Sequence, residues 1–561
     1  MNLRKLLLIA FIFSGMAALI YELTWIRPLQ FLLGSTVYTI SIIFGVFMLG
    51  LALGSLIASK YVDKIKNLPL VYALMMLGIG LYGVLLLSIF NILPKIYNSI
   101  YFLHTNFYLF QFVQFALVFI ILLIPTTLMG ATFPVIAKFY TQEKIGKCIG
   151  EIYSANNLGA IIGSFGAGFI LIPLFGVKTS IIFAGFINIL IGFSLLFIVS
   201  KNLAKKIIPI ALILFLIFAF VGNYNIQQMH SGGFYRTESI QKQLGPVVYY
   251  EEGLYATVTV RDLFGKGKAL FINGKGQGSY EITDLRVNFL LAYLPSLIKS
   301  EIENALVIGL GTGTTSGQLS QLTNVTTIEI EPAIVEATNY FRTFNNNVLE
   351  NPNHNLIIDD GRNWLLKNNE KYNAIIPEPS DPWQSFSTAL FSKEFLELAA
   401  EDLEENGLYM QWVPIYQMSP EDFRNFYKTF SYVFPHNAAF ANIKSDEDTP
   451  IRFETSEIIL VGSRKEIKIN EEKFNQDYNS LPELSKQHLS SIRLASGNEI
   501  YHLLLFTSEQ MQNYADDAEL ITDDKPILEF STAKNVFVQK PEVVIDNINK
   551  FLEKEENAVQ R

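Results

Sequence analysis

Cysteine is nearly missing from this chain. Cys148 stands alone among 561 residues, so no disulfide can form within it and cysteine gives no sign of a redox compartment. Histidine is scarce too: six are scattered without metal-ligating spacing, and no metal site is expected. Acidic residues are lacking from one part only. Up to Gly222 there are four Asp and Glu against fourteen Lys and Arg, a net charge of +10, while the remainder carries −19. Half of all residues are hydrophobic and the mean hydropathy is positive, which excludes an ordinary water-soluble surface throughout. Two regions adapted to different solvents are joined end to end, in a chain long enough for several domains.

What the first part does contain is apolar runs. Seven have roughly the 20 residues that cross a bilayer as a helix, at about 5–26, 36–58, 69–93, 107–130, 154–176, 178–200 and 206–222. No small-residue cleavage site follows the first run and more spans come after it, which argues against a removed signal peptide. Gly50 and Gly54, Gly159 and Gly163, then Gly166 and Gly168 recur at spacings that let helix backbones approach closely in lipid. Helix packing is the plain meaning of that spacing, a transport path the bolder one. Glu22 and Arg27, in "IYELTWIRP", fall at the end of the first run, where a charge is either an intramembrane functional group or an interfacial residue. Lys and Arg gather at the N-terminus and around 60–66, 138–147 and 201–206, which puts the N-terminus in the cytoplasm. Seven spans then place everything after Gly222 outside; one span fewer places it in the cytoplasm.

From about residue 234 the pattern changes. "VVYYEEG", "ATVTVRD" and "KALFING" are short, β-branched and aromatic, with glycine turns between them, and predict a small sheet of hairpins. "TDLRVNFLLAYLPSLI" has helical spacing and is expected to end near Pro295. Next, "ALVIGLGTGTTSGQLSQL" runs a buried strand, Ala305–Ile308, into Gly309, Gly311 and Gly313 and then a helix. Those glycines permit a tight turn and close approach of a ligand to the backbone. A second strand, "VTTIEI", ends at Glu329, where a carboxylate can accept hydrogen bonds from both ribose hydroxyls. Strand, glycine turn, helix, strand and acid in that order predict a nucleoside site. No Lys or Arg lies between Gly309 and Glu331, which favours an adenosine sulfonium over a ligand with phosphates.

Two acidic stations follow. "LIIDDGRNWL" ends a third strand at Asp359, Asp360 and Gly361, and a carboxylate there can accept from an adenine amino group. "IIPEPSDPW", residues 375–383, ends a fourth strand in a stiff loop carrying Glu378 and Asp381. All lie at carboxyl ends of strands, where open α/β sheets bind ligands. Glu378 and Asp381 thus face the reactive end of a bound adenosyl group, one to take a proton from an amine and the other to fix its charge. The competing view of this loop is a solvated turn. Trp383, Phe386, Trp412 and Tyr416 are candidates to wall the ligand, though each also suits a core. The stretch "QWVPIYQMSPEDFRNFYKTFSYVF" reads as a strand and then a helix of the same domain, and 465–520 as polar helical segments.

Residues from about 234 to 440 resemble the polyamine aminopropyltransferases, the spermidine and spermine synthases. The likeness is greatest to the membrane-fused branch, on the loop from Glu378 to Trp383 before "LFSKEF" at 390–395, the "SGMAALIYELTW" segment and "DDKPILEF" near the C-terminus. The resemblance implies that Glu329 binds ribose, that Asp360 contacts adenine, that Glu378 is the base and Asp381 its companion, and that Gln277 of "NGKGQ" helps close the site, with Asn273 in place of the family's Asp. It also marks departures. Thr312 stands where the family holds the donor's amine with an Asp. Val287, Asn288 and Phe289 replace its Tyr-His-Glu element, and Tyr293 replaces the His before Pro295. The adenosyl half of the site is kept and the amine half is not.

The expected fold class is a multi-pass α-helical membrane domain, 1–222 with about seven helices, followed by a small β-hairpin domain, 223–283, and a Rossmann-like α/β S-adenosylmethionine-dependent transferase domain, 284–465, with a C-terminal helical extension, 466–561. The expected catalytic residues are Glu378 and Asp381; those binding the adenosyl co-substrate are Gln277, Gly309, Gly311, Gly313, Glu329, Asp360 and Gly361. No cofactor is expected to stay bound, and decarboxylated S-adenosylmethionine or S-adenosylmethionine itself is the co-substrate. The expected partners are a small-molecule amine, a lipid bilayer and a second copy of the chain, with no nucleic acid, and the expected location is the cell membrane. Three functions stay open: aminopropyl transfer to an amine, methyl transfer from the same pocket, and a non-catalytic nucleoside or polyamine sensor or transporter.

Overall fold

A computed structural model describes residues 3–141, 145–221, 245–299, 301–384, 387–443, 455–536 and 540–559. The chain divides at Gln241/Lys242 into two compact units, with Glu252–Ala256 grouped with the first.

The first unit is helical: α1 (Leu3–Leu33), α2 (Val37–Tyr61), α3 (Leu68–Ile100), α4 (Phe107–Tyr140), α5 (Ile145–Gly166), α6 (Ile172–Val199) and α7 (Lys201–Leu216). Thr36, Asn67, Asn106 and Ser200 cap α2, α3, α4 and α7, each side chain accepting the backbone N–H three residues on. Among the described residues, six continuous helical stretches are long and apolar enough to cross a membrane. The longest, Ile145–Val199, joins α5 to α6 through a π segment, Ala167–Leu171, and breaks at Gly176, where φ is 76° and ψ 168°. That break falls where the sequence separates its fifth and sixth runs. Helix α1 continues past Arg27 and Pro28 to Leu33, so Glu22 is buried within the helix rather than set at its end.

The glycine spacing serves helix contact at some positions and not others. A Cβ on Gly54 would lie 1.9 Å from the Thr127 carbonyl oxygen, and one on Gly159 would lie 1.9 Å from that of Ile12. These bring α2 onto α4 and α5 onto α1, backbone against backbone. Gly166 and Gly168 meet nothing within 4 Å. Gly54→Leu is therefore expected to lower the melting temperature in detergent, by overpacking worth about 1–3 kcal/mol or more. Gly166→Leu is expected to leave it nearly unchanged; equal melting of the two variants would contradict the packing role.

The second unit holds two sheets. The smaller orders its strands β1 (Val247–Glu252), β2 (Thr257–Asp262), β3 (Lys268–Ile272) and β4 (Lys275–Ser279). Asn273 and Gly274 join β3 to β4 with φ of 49° and 78°, the two-residue hairpin turn that matches strand twist. Asn273 Oδ1 also accepts the Thr257 N–H at 2.9 Å, which gives this asparagine a structural duty at the turn.

The larger sheet has eight strands in the order β12-β10-β11-β9-β8-β5-β6-β7. They are β5 (Asn304–Ile308), β6 (Asn324–Glu329), β7 (His354–Ile358), β8 (Tyr372–Pro377), β9 (Leu403–Val413), β10 (His436–Ile443), β11 (Thr455–Ser463) and β12 (Leu504–Thr507). From β7 to β9 the pairing is parallel; from β9 to β12 it is antiparallel. Chain order reverses between β5 and β8, which opens a crevice at their carboxyl ends. Leu306 and Ile308 enter one apolar cluster, and Ala305 and Val307 the other. Burial on both faces is why β5 reads as an unbroken apolar run. This is the Rossmann-like architecture expected from the sequence. The helix over Ile282–Ile298 runs through Pro295, and β12 adds an edge strand within the segment expected to be helical. Four residues carry too short a pattern to show alternation, so pairing with β10 decides their conformation.

Candidate active site

The site is assembled from the carboxyl ends of β5, β6, β7 and β8. After β5 the chain turns through Gly309, Gly311 and Gly313, with φ of 102°, 53° and 73°, values that L-residues with a Cβ rarely adopt. A Cβ on Gly309 would stand 3.1 Å from the Glu378 carbonyl oxygen, and one on Gly313 would stand 2.7 Å from Thr338 Cγ2. Gly311 faces open space, so that is where a ligand can reach the backbone.

Glu329, ending β6, holds this turn. Its Oε2 accepts the Leu310 N–H at 2.8 Å and its Oε1 the Glu331 N–H at 2.8 Å. Burial pushes its carboxyl above the usual range, and the two N–H donors oppose that shift. Each oxygen keeps a second lone pair, so a carboxylate already aimed by the backbone can still accept from a diol. Asp360 caps the helix Gly361–Lys367, accepting the Asn363 N–H at 2.9 Å. Gly361 has no room for a side chain, because a Cβ there would lie 2.3 Å from Ile308 Cγ2. Arg362 next to it makes a two-pronged ion pair with Asp523 of the C-terminal "DDKPILEF" segment. That motif is thereby tied to the end of β7.

Glu378 follows β8, its N–H on the Ile308 carbonyl at 2.8 Å. Burial raises its carboxyl to about 7, a hydrogen bond from Thr315 opposes the shift, and the Glu329 charge adds to it. Its Oε1 is buried and has no partner among the described residues. A carboxyl near neutrality, partly held and partly unsatisfied, can take a proton from a bound group. If it does, the second-order rate with total amine should climb about a hundredfold per pH unit below about 7, where both Glu378 and the amine must lose a proton. Above that it should climb about tenfold per unit until the amine's own titration at about 10. Glu378→Gln should remove the lower break in slope and leave the upper, as a pH–rate profile would read directly.

Asp381 is fully buried. Its Oδ1 accepts the Tyr416 hydroxyl at 2.9 Å and its Oδ2 forms an ion pair with Lys275 Nζ from β4. Gln277, two residues on, donates from Nε2 to Ser380 Oγ at 2.6 Å, so the small sheet grips the Glu378–Trp383 loop at two points. Trp383 is core, donating to Gln417 Oε1 at 2.7 Å. The Trp412 ring lies 5.7 Å from Lys275 Nζ, and Phe386 lies outside the described residues.

The departures from the family pattern have structural occupants. Val287, Phe289 and Tyr293 are buried in the core beneath the site. The Tyr293 hydroxyl donates to Gln318 Oε1 at 2.6 Å, which also meets His488 Nδ1 at 2.9 Å. Thr312 Oγ1 lies 2.8 Å from Thr314 Oγ1, inside the glycine turn. Sequence reasoning missed Lys275, Asp284, Thr315, Asn442 and Glu457. One signal was present: Glu457 opens the apolar strand "EIILVG", where an acid is out of pattern.

An α/β sheet with a glycine turn at its switch point, an acid ending the second strand and a buried carboxyl opposite defines a nucleoside-dependent transferase class of site. Residues 285–445 match the family model described as Spermine/spermidine synthase domain. Polyamine aminopropyltransferase 2 of Aquifex aeolicus is 24% identical over 418 residues, covering 73% of this chain and 79% of that protein. The polyamine aminopropyltransferase of Sulfurisphaera tokodaii is 28% identical over 230 residues, 38% of this chain and 75% of its own. That of Corynebacterium efficiens is 26% identical over 292 residues, 50% and 55% respectively, so the chain spans about half of that relative. Over residues 285–445 the chain is thus similar to the spermine/spermidine synthase domain, and the likeness to polyamine aminopropyltransferases extends beyond that stretch.

Proposed function

We propose that this protein is a membrane-bound aminopropyltransferase, acting from decarboxylated S-adenosylmethionine onto a small amine. The observation that carries the proposal is Glu378: a buried carboxyl raised to about 7, with an unpartnered Oε1, at the mouth of the glycine turn. The adenosyl group would lie over Gly311, with its ribose hydroxyls on Glu329 and its adenine toward Asp360. A sulfonium is already an activated electrophile, so alignment and one proton transfer suffice. The amine lone pair attacks the carbon attached to sulfur, and the C–S bond breaks with its electron pair going to sulfur. Neutral methylthioadenosine leaves, and the proton lost by the amine passes to Glu378.

Six helical stretches of membrane-crossing length among the described residues support a multi-pass location in the cell membrane. The deciding experiment uses the purified full-length protein in detergent, with decarboxylated and ordinary S-adenosylmethionine and a panel of amines, read by mass spectrometry. Methylthioadenosine together with an aminopropylated amine is the expected result. S-adenosylhomocysteine would establish methyl transfer instead, and binding of either donor without turnover would favour a sensor or transporter.

A further inference from the structure

The loop following β8 offers two carboxyls, and the structure treats them differently. Glu378 keeps an unpartnered oxygen; Asp381 does not. Asp381 is fully buried, with one oxygen on Tyr416 and the other on the ammonium of Lys275, itself only 4% exposed. Lys275 stands at the start of β4 between Gly274 and Gly276 and lies against the Trp412 ring, which favours a cation at that place. Two further carboxyls feel the same ammonium. Asp284 accepts the Ser279 hydroxyl at 2.6 Å and Glu457 accepts the Asn442 amide at 3.0 Å. Burial raises both, Glu457 to about 7, and Asp381 is the carboxyl in direct ion-pair contact with Lys275.

A diamine acceptor reacts through one neutral nitrogen and keeps an ammonium at its other end. With Glu378 engaged by the reacting nitrogen, the loop's remaining carboxylate is Asp381. A substrate ammonium could reach it only by displacing a buried lysine, which would strand a charge in a dry site, or by sitting beside a like charge. We propose that Lys275 is a specificity-determining residue: its ammonium stands where the distal ammonium of a diamine would be held, so the acceptor is an amine with an uncharged tail. This rests on the aminopropyl-transfer function proposed above.

The test compares butylamine with 1,4-diaminobutane as acceptors for the full-length protein in detergent with decarboxylated S-adenosylmethionine, scoring methylthioadenosine. The wild type should favour butylamine in kcat/KM, on the order of tenfold. Lys275→Met exposes Asp381 and should reverse that preference, also on the order of tenfold. Lys275→Met with Asp381→Asn leaves neither charge and should retain the butylamine preference, which keeps the test alive if the single variant does not fold. A wild type preferring the diamine, a folded Lys275→Met with an unchanged ratio, or a double variant that gains diamine preference would each overturn the inference. Calorimetric binding of the two amines in the presence of methylthioadenosine reads the same selectivity without turnover. Absence of methylthioadenosine production then counts against the transfer function alone, while the binding ratio decides the role of Lys275.

Discussion

Glu378→Gln is expected to lower kcat by roughly 10²- to 10⁴-fold, the range of a positioned general base, with little change in the binding of the adenosyl donor. The substitution keeps the side chain's size and its place after β8, where the backbone bond to Ile308 does not depend on the carboxyl. Thr315 can still donate to the amide oxygen. What is lost is the ability to accept a proton. The folded state should not suffer, because a buried carboxyl raised to about 7 is costly to ionise and its neutral isostere is not. Melting temperature, donor affinity by calorimetry and single-turnover rate together separate these effects. A variant that retains the wild-type rate would remove Glu378 from the chemistry.

Glu329→Gln is expected to weaken donor binding by about 10²-fold or more, since hydrogen bonds to a charged group are each worth about 1.5–3 kcal/mol and a ribose diol would form two. The cause is geometric as well as electrostatic. Both oxygens of Glu329 accept backbone N–H groups, from Leu310 and Glu331. An amide has one oxygen, so one of those N–H groups would face another donor, and the glycine turn would lose one of its two anchors. The expected signature is a raised KM for the donor with a smaller change in kcat at saturation. A fall in kcat alone would mean that Glu329 acts on the reacting centre rather than on the ribose.

Where the site borrows residues from distant parts of the chain, charge bookkeeping changes. The loop's two acids look equivalent in "EPSDPW". In the folded unit they differ because Lys275, more than a hundred positions earlier, closes on one of them. In the same way, Asn273 stands in the sequence where the resembling family has an Asp in its site-closing element, while its positive φ and its bond to Thr257 show a turn residue.

Much of this protein follows from local pattern. Apolar length and charge asymmetry separate a helical unit from a sheet unit, since helices without charge need lipid and alternating strands need a core. The order of strand, glycine turn, helix and acid puts Gly309, Gly311, Gly313, Glu329, Asp360 and Glu378 at strand ends, because in a parallel sheet every carboxyl end points the same way. The tertiary structure alone decided the rest: which glycines touch a neighbouring helix, that a four-residue strand seals the edge at β10, and that Asp381 answers to a lysine rather than to solvent. These depend on what a residue meets across space. Burial, which raises Glu378 and makes the Lys275–Asp381 pair a commitment, is a property of the packed unit and of no single stretch of chain.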